Sequence, residues 1–258
     1  MSALKLLLRS RSLGFTRDKR SAARPTTLHT IPWGAGAIHY RPGTSDQEII
    51  YQVLLKPGRK AEYWLPDEVR PKTILDIGGN IGVVSVYFAQ RYPRARIFTV
   101  EPVPENFVVL AKNIAPYPNI KAYQIALGHS DGELTLRHSD NPINFGGFSV
   151  GAEGVHPTQS VRVRMQAVET FLADLDVPMI DLIKIDTEGA EFDVLTSVPE
   201  RVLSQVRWIV GELHGRRDFE LLAYLSRWFD IGLTKRIESR LFMFHARNKT
   251  NELPIQTA

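Results

Sequence analysis

Thr73-Ile74-Leu75-Asp76-Ile77-Gly78-Gly79-Asn80-Ile81-Gly82 is the stretch whose reading decides the fold. Ile74, Leu75 and Ile77 predict a buried strand, the glycines a tight turn, and the apolar run Ile81 to Tyr92 a helix that starts without a loop of its own. A strand that passes through glycines into a helix leaves bare backbone and a helix N-terminus open to a ligand, the construction of a nucleotide-cofactor site. Gly78, Gly79 and Gly82 are expected to take positive φ or to admit a ligand close to the backbone. Asp76 puts a carboxylate at the carboxyl end of the strand, where open α/β sheets bind ligands.

The acid narrows the choice of cofactor. A dinucleotide turn reads Gly-x-Gly-x-x-Gly and aims its helix dipole at a pyrophosphate, which a carboxylate in the turn would repel. S-adenosylmethionine carries a sulfonium and an ammonium but no phosphate, so an acidic turn suits it.

Outward from this stretch the elements alternate. Arg96 to Val100 predicts a second strand, Pro104 and Glu105 open a helix with Phe107, Leu110, Ala111 and Ile114 on one face, and Ile120 to Ile125 predicts a third strand. Ile180 to Asp186 and Arg207 to Leu213 are further strands, each followed by a helix, the second of which carries Phe219, Leu222, Leu225 and Phe229. Ile231 to Ile237 and Leu241 to His245 read as a hairpin around Glu238-Ser239. This order predicts a parallel sheet wound with right-handed crossovers. Glu133 to Arg137 and Ser160 to Met165 are extra strands that flank a Gly- and Asn-rich loop, Asn141 to Gly154. The loop is a candidate substrate cover with Asn144, Phe148 and Ser149 as contacts.

On the other side, Leu28 to Pro66 reads as a lead-in element over the sheet. It holds a short strand at Ile38 to Tyr40 and a helix from Ser45 or Asp46 to Leu55. Trp33, Tyr63 and Trp64 are assigned to packing. The divisions expected are a loose basic tail at 1–30, the lead-in at 31–70, the α/β domain at 71–248 and a loose C-terminal tail at 249–258.

With 258 residues and 43% hydrophobic content the chain can bury one large α/β core. The absence of cysteine excludes a disulfide framework, a thiolate zinc site and a cysteine nucleophile. No apolar run approaches the roughly 20 residues that cross a bilayer, so a soluble, cytoplasmic protein is expected. Residues 1–24 carry seven Lys and Arg against Asp18, a local +6 within an overall +4, which leaves the rest at −2. Such a segment suits a nucleic acid or an anionic membrane, and Leu4, Leu6, Leu7 and Leu8 can form one turn of an amphipathic helix.

Two groups of residues carry the chemistry. Glu101, at the end of the second strand, is placed to accept hydrogen bonds from both ribose hydroxyls of an adenosine, with Ala126 and Leu127 near the adenine. Lys184, Asp186, Glu188 and Glu191 follow the fourth strand, and Glu212 and His214 end the fifth beside it. Charges this dense at an apolar strand end imply a cleft. Two chemistries fit. His214 or a carboxylate (Asp186, Glu188, Glu212) acts as general base while Lys184 tunes the acids; alternatively Glu188, Glu191, Glu212 and His214 hold a hard divalent ion that acidifies a hydroxyl.

These residues resemble the FkbM-type S-adenosylmethionine-dependent methyltransferases. The likeness runs through Arg-Pro-Gly-Thr-Ser-Asp at 41–46, the glycine motif at 76–82, Glu-Pro-Val-Pro-Glu-Asn-Phe at 101–107, Ala-Leu-Gly at 126–128, Asp-Leu-Ile-Lys-Ile-Asp-Thr-Glu-Gly-Ala-Glu at 181–191 and Glu-Leu-His at 212–214. The resemblance implies the class I methyltransferase (Rossmann-like) fold, a mostly parallel seven-stranded sheet with helices on both faces, and O-methylation of a sugar, glycan or small natural product. It also carries over Asp76, Gly78, Asn80, Gly82 and Glu101 as donor contacts. Gly79 stands where many relatives have Ala, and the terminus before Thr30 lies outside the likeness. Two rivals stay open: a nucleic-acid methyltransferase that uses the basic tail, and a cofactor-binding partner protein without turnover.

Overall fold

The structure, a computed structural model, describes residues 3–24, 26–138, 148–149, 160–215, 217–235 and 242–250. Helices α1 (Ala3–Ser10) and α2 (Leu13–Asp18) precede the hairpin β1 (His29–Trp33) and β2 (Gly36–Tyr40). Helix α3 (Asp46–Ile50) runs on as a π-helical turn, Tyr51–Leu55. Then follow β3 (Thr73–Ile77), α4 (Val83–Arg91), β4 (Arg96–Val100), α5 (Pro104–Ile114), β5 (Ile120–Tyr123), β6 (Ala126–Gly128), β7 (Gly132–His138), β8 (Phe148–Ser149), β9 (Ser160–Ala167) and α6 (Val168–Asp174). The chain continues through β10 (Leu182–Ile185), α7 (Glu191–Thr196), α8 (Glu200–Leu203), β11 (Trp208–Leu213), α9 (Asp218–Leu225), β12 (Phe229–Lys235) and β13 (Phe242–Asn248).

Seven strands form the central sheet in the order β12-β13-β11-β10-β3-β4-β5. The neighbours from β5 to β11 pair in parallel, and β13 runs antiparallel to both β11 and β12. This is the mostly parallel seven-stranded sheet that the resemblance implies. A parallel strand is covered on both faces, so it reads as a mostly apolar run; every residue of β3 is buried, Thr73 and Asp76 included. The two faces feed separate cores. Ile74, Ile97 and Leu182 pack with α4, α5 and the lead-in, while Leu75, Phe98 and Ile183 pack with α6, α7 and α9.

The structure departs from the sequence reading in several places. The third strand stops at Tyr123, and Ala126 and Leu127 open a second sheet, β6-β9-β7-β8, in which Ala126 pairs with Met165. The buried face of α9 is Leu221 and Leu225. Phe219 is 89% exposed, and Phe229 begins β12, because the helix ends at Leu225. Helix α4 starts at Val83, after Asn80 and Gly82 have taken left-handed φ of 48° and 82°. Glu238 and Ser239, Asn144, and residues 251–258 of the C-terminal tail lie outside the described residues; Phe148 and Ser149 pair with His138 and Arg137 as β8.

The N-terminal segment read as a loose tail is folded. Phe15 is fully buried and packs edge-on against Tyr40 at 5.1 Å, and Leu6 is buried in the same core. Asp18, the one acid of the segment, accepts a hydrogen bond from the Tyr40 hydroxyl (2.6 Å) and contacts His29 (2.7 Å). The charge average of the segment hides these three anchors. Phe15→Ala is expected to lower the unfolding free energy by about 3–5 kcal/mol in urea denaturation. An unchanged midpoint would mean that the helices do not dock.

Candidate active site

Two neighbouring strands organise the site. Register places Asp76 of β3 opposite Lys184 of β10, and both side chains are buried, at 0% and 1% exposure. Lys184 Nζ stands 3.2 Å from Asp76 Oδ1 and donates to the Gly78 carbonyl at 2.6 Å, while Ser85 Oγ donates to Asp76 Oδ2 at 2.6 Å. Asp76 is therefore engaged by Lys184 and Ser85 and is not among the residues that line the adjoining cleft. Lys184 likewise clamps the glycine turn, and it acts on the acids only through its charge. The neighbouring carboxylates hold its ammonium above the usual lysine range although burial works against the charge.

The glycines divide the work. Gly78 has φ +81°, and a Cβ on it would lie 1.8 Å from the carbonyl oxygen of Asp186, so no side chain fits there. Gly79 does not take positive φ. Thr99 Oγ1 and Leu110 Cδ1 occupy the space that an alanine at 79 would need, at 2.3 and 2.9 Å from its Cβ. Gly78 and Asn80 line the adjoining cleft; Gly79 and Gly82 shape the turn from behind it.

That cleft holds about 700 Å³, counting its open mouth. Glu101 stands at its rim. Its Oε2 accepts the Asn80 N–H at 2.7 Å, and its Oε1 accepts the Val103 N–H at 3.0 Å and the Asn106 amide at 3.3 Å. Burial pushes the carboxyl up to about 7, even though these hydrogen bonds favour the ionised form. Behind it Val103, Ile125, Ala126, Leu127, Leu134 and Leu136 make an apolar wall, closed by the second sheet. The Arg-Pro-Gly-Thr-Ser-Asp motif braces Glu101 from the lead-in. Arg41 Nε and Nη2 pair with both oxygens of Asp46 at 2.7 and 2.8 Å, and Nη2 also donates to Asn106 Oδ1 at 2.9 Å.

At the other end, Glu191 accepts from the Thr187 N–H (2.8 Å), the Thr187 hydroxyl (3.0 Å) and the Gly189 N–H (3.1 Å), and it contacts His214 Nδ1 at 3.0 Å. Glu191 thus ties down the loop and orients the imidazole. His214 Nε2 then faces Asp186, Glu188 and Glu212 at 3.5, 3.6 and 3.9 Å, beyond normal hydrogen-bond length. Burial alone would lower the imidazole, but the Glu191 contact and the surrounding carboxylates carry it up to about 10. A protonated imidazole has no free lone pair to take a proton, which favours a carboxylate over His214 as a general base. Glu188 is raised to about 7 and Glu212 to about 8, by burial first and then by the charge of Asp186. Asp186, Glu191 and His214 each offer a ligand atom within 4.8 Å of the others, so the cluster can accept a cation.

A second, polar cleft of about 580 Å³ on the same count lies between this cluster and the lead-in. Glu48, Gln52, Glu62 and Tyr63 form one side, Asp186, Glu188 and Glu212 the other. The Tyr63 hydroxyl donates to Asp186 Oδ2 at 3.2 Å, across 123 positions of sequence. Burial and then the Asp186 charge hold the phenol well above its ordinary range, so it stays a donor. The packing role read for Tyr63 misses this, as no local pattern marks a residue that reaches the site from the lead-in. Asn80, Asp186 and Glu188 line both clefts and mark where they meet.

Residues 76–246 match the family model of the Methyltransferase FkbM domain, with the glycine turn at one end and β13 at the other. The chain belongs to the FkbM methyltransferase family. Among FkbM-like relatives, it is 28% identical over 187 residues to the AMB antimetabolite synthetase AmbE of Pseudomonas aeruginosa, a match of 59% of this chain and 9% of that one. It is 25% identical over 167 residues to the 2-O-methyltransferase NoeI of Sinorhizobium fredii, covering 60% and 67%. The chain spans less than two thirds of the length of the first curated relatives it matches. The crystal structure of Methyltransferase FkbM from Methylobacillus flagellatus shares the fold, at 16% identity and a TM-score of 0.53 over 74% of this chain and 48% of that one.

Lys184→Met removes the counter-charge of a carboxylate with no solvent exposure. A loss of about 3–5 kcal/mol in chemical denaturation is expected, partly restored by Asp76→Asn in the same chain. A denaturation midpoint that the single change leaves in place would contradict the clamp.

Proposed function

We propose that the protein transfers a methyl group from S-adenosylmethionine to a hydroxyl of a sugar, a glycan or a small natural product. The observation that carries this reading is the meeting of an apolar-walled cleft and a polar cleft at Asn80, Asp186 and Glu188. The first cleft fits the donor. Among the described residues Glu101 Oε2 accepts only the Asn80 N–H and keeps a lone pair for a ribose hydroxyl, the apolar wall suits a purine ring, and the acids at the junction suit a sulfonium and an ammonium. When bound, the donor supplies an electrophilic methyl carbon.

The second cleft fits a polyhydroxylated acceptor. Ser45 Oγ, Gln52 Oε1 and Asn80 Oδ1 are buried and without a hydrogen-bond partner among the described residues, and all three residues line it. With the carboxylates beside them they form a set of hydrogen-bond acceptors, which hydroxyl groups complement. The name of NoeI, a 2-O-methyltransferase, accords with transfer to oxygen.

Glu188 is the general base in this reading. It lines both clefts, its backbone sits at φ 55°, a conformation unusual for a non-glycine residue, and its raised carboxyl is poised near neutrality. The base must be ionised, so turnover should rise with pH to a plateau above about 7. Glu188→Gln is expected to lower kcat by about 10²-fold or more and to flatten that rise, with donor affinity retained. The assay is transfer of a labelled methyl group to a panel of sugars and hydroxylated natural products. Donor binding without transfer to any hydroxyl would overturn the reading in favour of a cofactor-binding partner protein.

Asp186, Glu191 and His214 also offer ligand atoms close enough together for a divalent ion, which would orient and acidify the hydroxyl; Glu188 and Glu212 of the expected ligand set are not in this group. Loss of turnover in chelator and its return with magnesium or manganese would assign the proton step to such an ion. Unchanged turnover would leave it with Glu188.

Glu101 sets a second pH dependence. Its free carboxyl lies at about 7 and ribose hydrogen bonds favour the ionised form, so donor affinity should fall as pH drops below about 7 and level off above it. Calorimetry with S-adenosylhomocysteine from acid to neutral pH checks this, and a pH-independent affinity would exclude Glu101 as the ribose contact.

A further inference from the structure

The basic N-terminal segment lines neither cleft of the site, yet its fold is specific. Helix α1 turns Leu6 into the core and presents Leu4 and Leu8, one turn apart, at 67% and 69% exposure; Leu13, at the start of α2, is exposed by 67%. Three of the six large hydrophobic residues left exposed among the described residues therefore fall within ten positions of sequence, and Leu4 and Leu8 share one face of α1. At helical spacing Lys5 and Arg9 border the two leucines, on the flank between them and the core.

Those two cations also begin a further cleft between the lead-in and the strands β11 and β13. Lys5, Arg9, Lys56, Arg59 and Lys60 line it, with Glu62 as the one carboxylate among its lining residues. Aromatic rings hold the cations in place. Arg9 donates to the Tyr51 hydroxyl at 2.5 Å and lies over the Tyr51 ring, and Arg59 lies over the ring of Trp64 at 5.3 Å. Exposed Arg11, Arg17 and Arg20 extend the positive field along α1 and α2.

We propose that this face docks on an anionic bilayer surface. Leu4, Leu8 and Leu13 enter the boundary between headgroups and acyl chains, and the basic cleft and its rim face the lipid phosphates and carboxylates. An interfacial helix has this division, an apolar strip outward with Lys and Arg beside it. Charge complementarity selects the anionic bilayer among apolar partners. The leucines distinguish it from a nucleic acid, whose phosphates are met by cations and gain nothing from exposed aliphatic chains. The contact is peripheral: no helix among the described residues is long and apolar enough to cross a membrane.

The test is co-sedimentation of the full chain with phosphatidylcholine vesicles, with and without phosphatidylserine at about 30%. Wild type is expected to bind the serine-containing vesicles at least about tenfold more tightly than the neutral ones, with the preference falling as salt rises. Leu4→Ser with Leu8→Ser should weaken binding about tenfold or more without moving the urea midpoint, because both side chains are exposed. Arg59→Gln with Lys60→Gln should reduce the preference for the anionic lipid. No binding to either vesicle would overturn the proposal, as would vesicle binding that the leucine changes leave intact. Binding of inorganic phosphate or of an RNA duplex by a protein that ignores vesicles would overturn it too, and would mark the cleft as a free-anion or nucleic-acid site.

Discussion

The pairing of β3 with β10, clamped at its carboxyl end by Lys184, is the constraint on which the site depends. Lys184 Nζ reaches Asp76 on one side and the Gly78 carbonyl on the other, all within a layer that excludes water. The strands lie so close at this point that Gly78 has no room for a Cβ against the Asp186 carbonyl. The turn that shapes the apolar-walled cleft and the acids that line the polar one are thereby held side by side. A buried charge pair is costly to form, and removing one partner costs more than the pair contributes. Here the pair gains a backbone carbonyl and the Ser85 hydroxyl as further partners, which lessens the desolvation cost of both charges.

A second chain of contacts ties the lead-in to the same place. Arg41 and Asp46, both buried, form a two-pronged ion pair that reaches Asn106 at the start of α5, and Asn106 in turn donates to Glu101. The lead-in is thus more than a cover. It fixes Glu101 of the apolar-walled cleft through Arg41 and supplies one wall of the polar cleft through Glu48, Gln52 and Tyr63. The π-helical turn Tyr51–Leu55 follows α3 directly on this wall, with Gln52 inside it. Such turns are frequent at functional sites because they re-aim side chains without ending the helix.

Much of this was legible from residues alone. The central strands were, because parallel strands buried on both faces are mostly apolar, as in Ile74 to Ile77 and Leu182 to Ile185, each broken only by one member of the Asp76–Lys184 pair. Gly78, Asn80, Glu101, Asp186, Glu188 and Glu212 were legible because each follows or ends such a strand at the ligand edge. The direction of a side chain was not. Asp76 is held by Lys184, its partner across β3 and β10, and by Ser85, and lines neither cleft, which only the pairing reveals. Tyr63 and Arg41 act across long sequence separations, and Phe15 docks a segment whose charge average says it should be loose. His214 shows the same limit: four acids were visible near it, but their combined pull on its proton depends on distances.

The most direct measurement of the central claim is the crystal structure of the protein with S-adenosylhomocysteine and a hydroxylated acceptor. The ribose should lie on Glu101 with the adenine against Ile125 and Leu127. The sulfur and the acceptor hydroxyl should meet between Asn80, Asp186 and Glu188. A nucleoside bound away from Glu101, or an acceptor outside the cleft between Tyr63 and Glu212, would contradict the account.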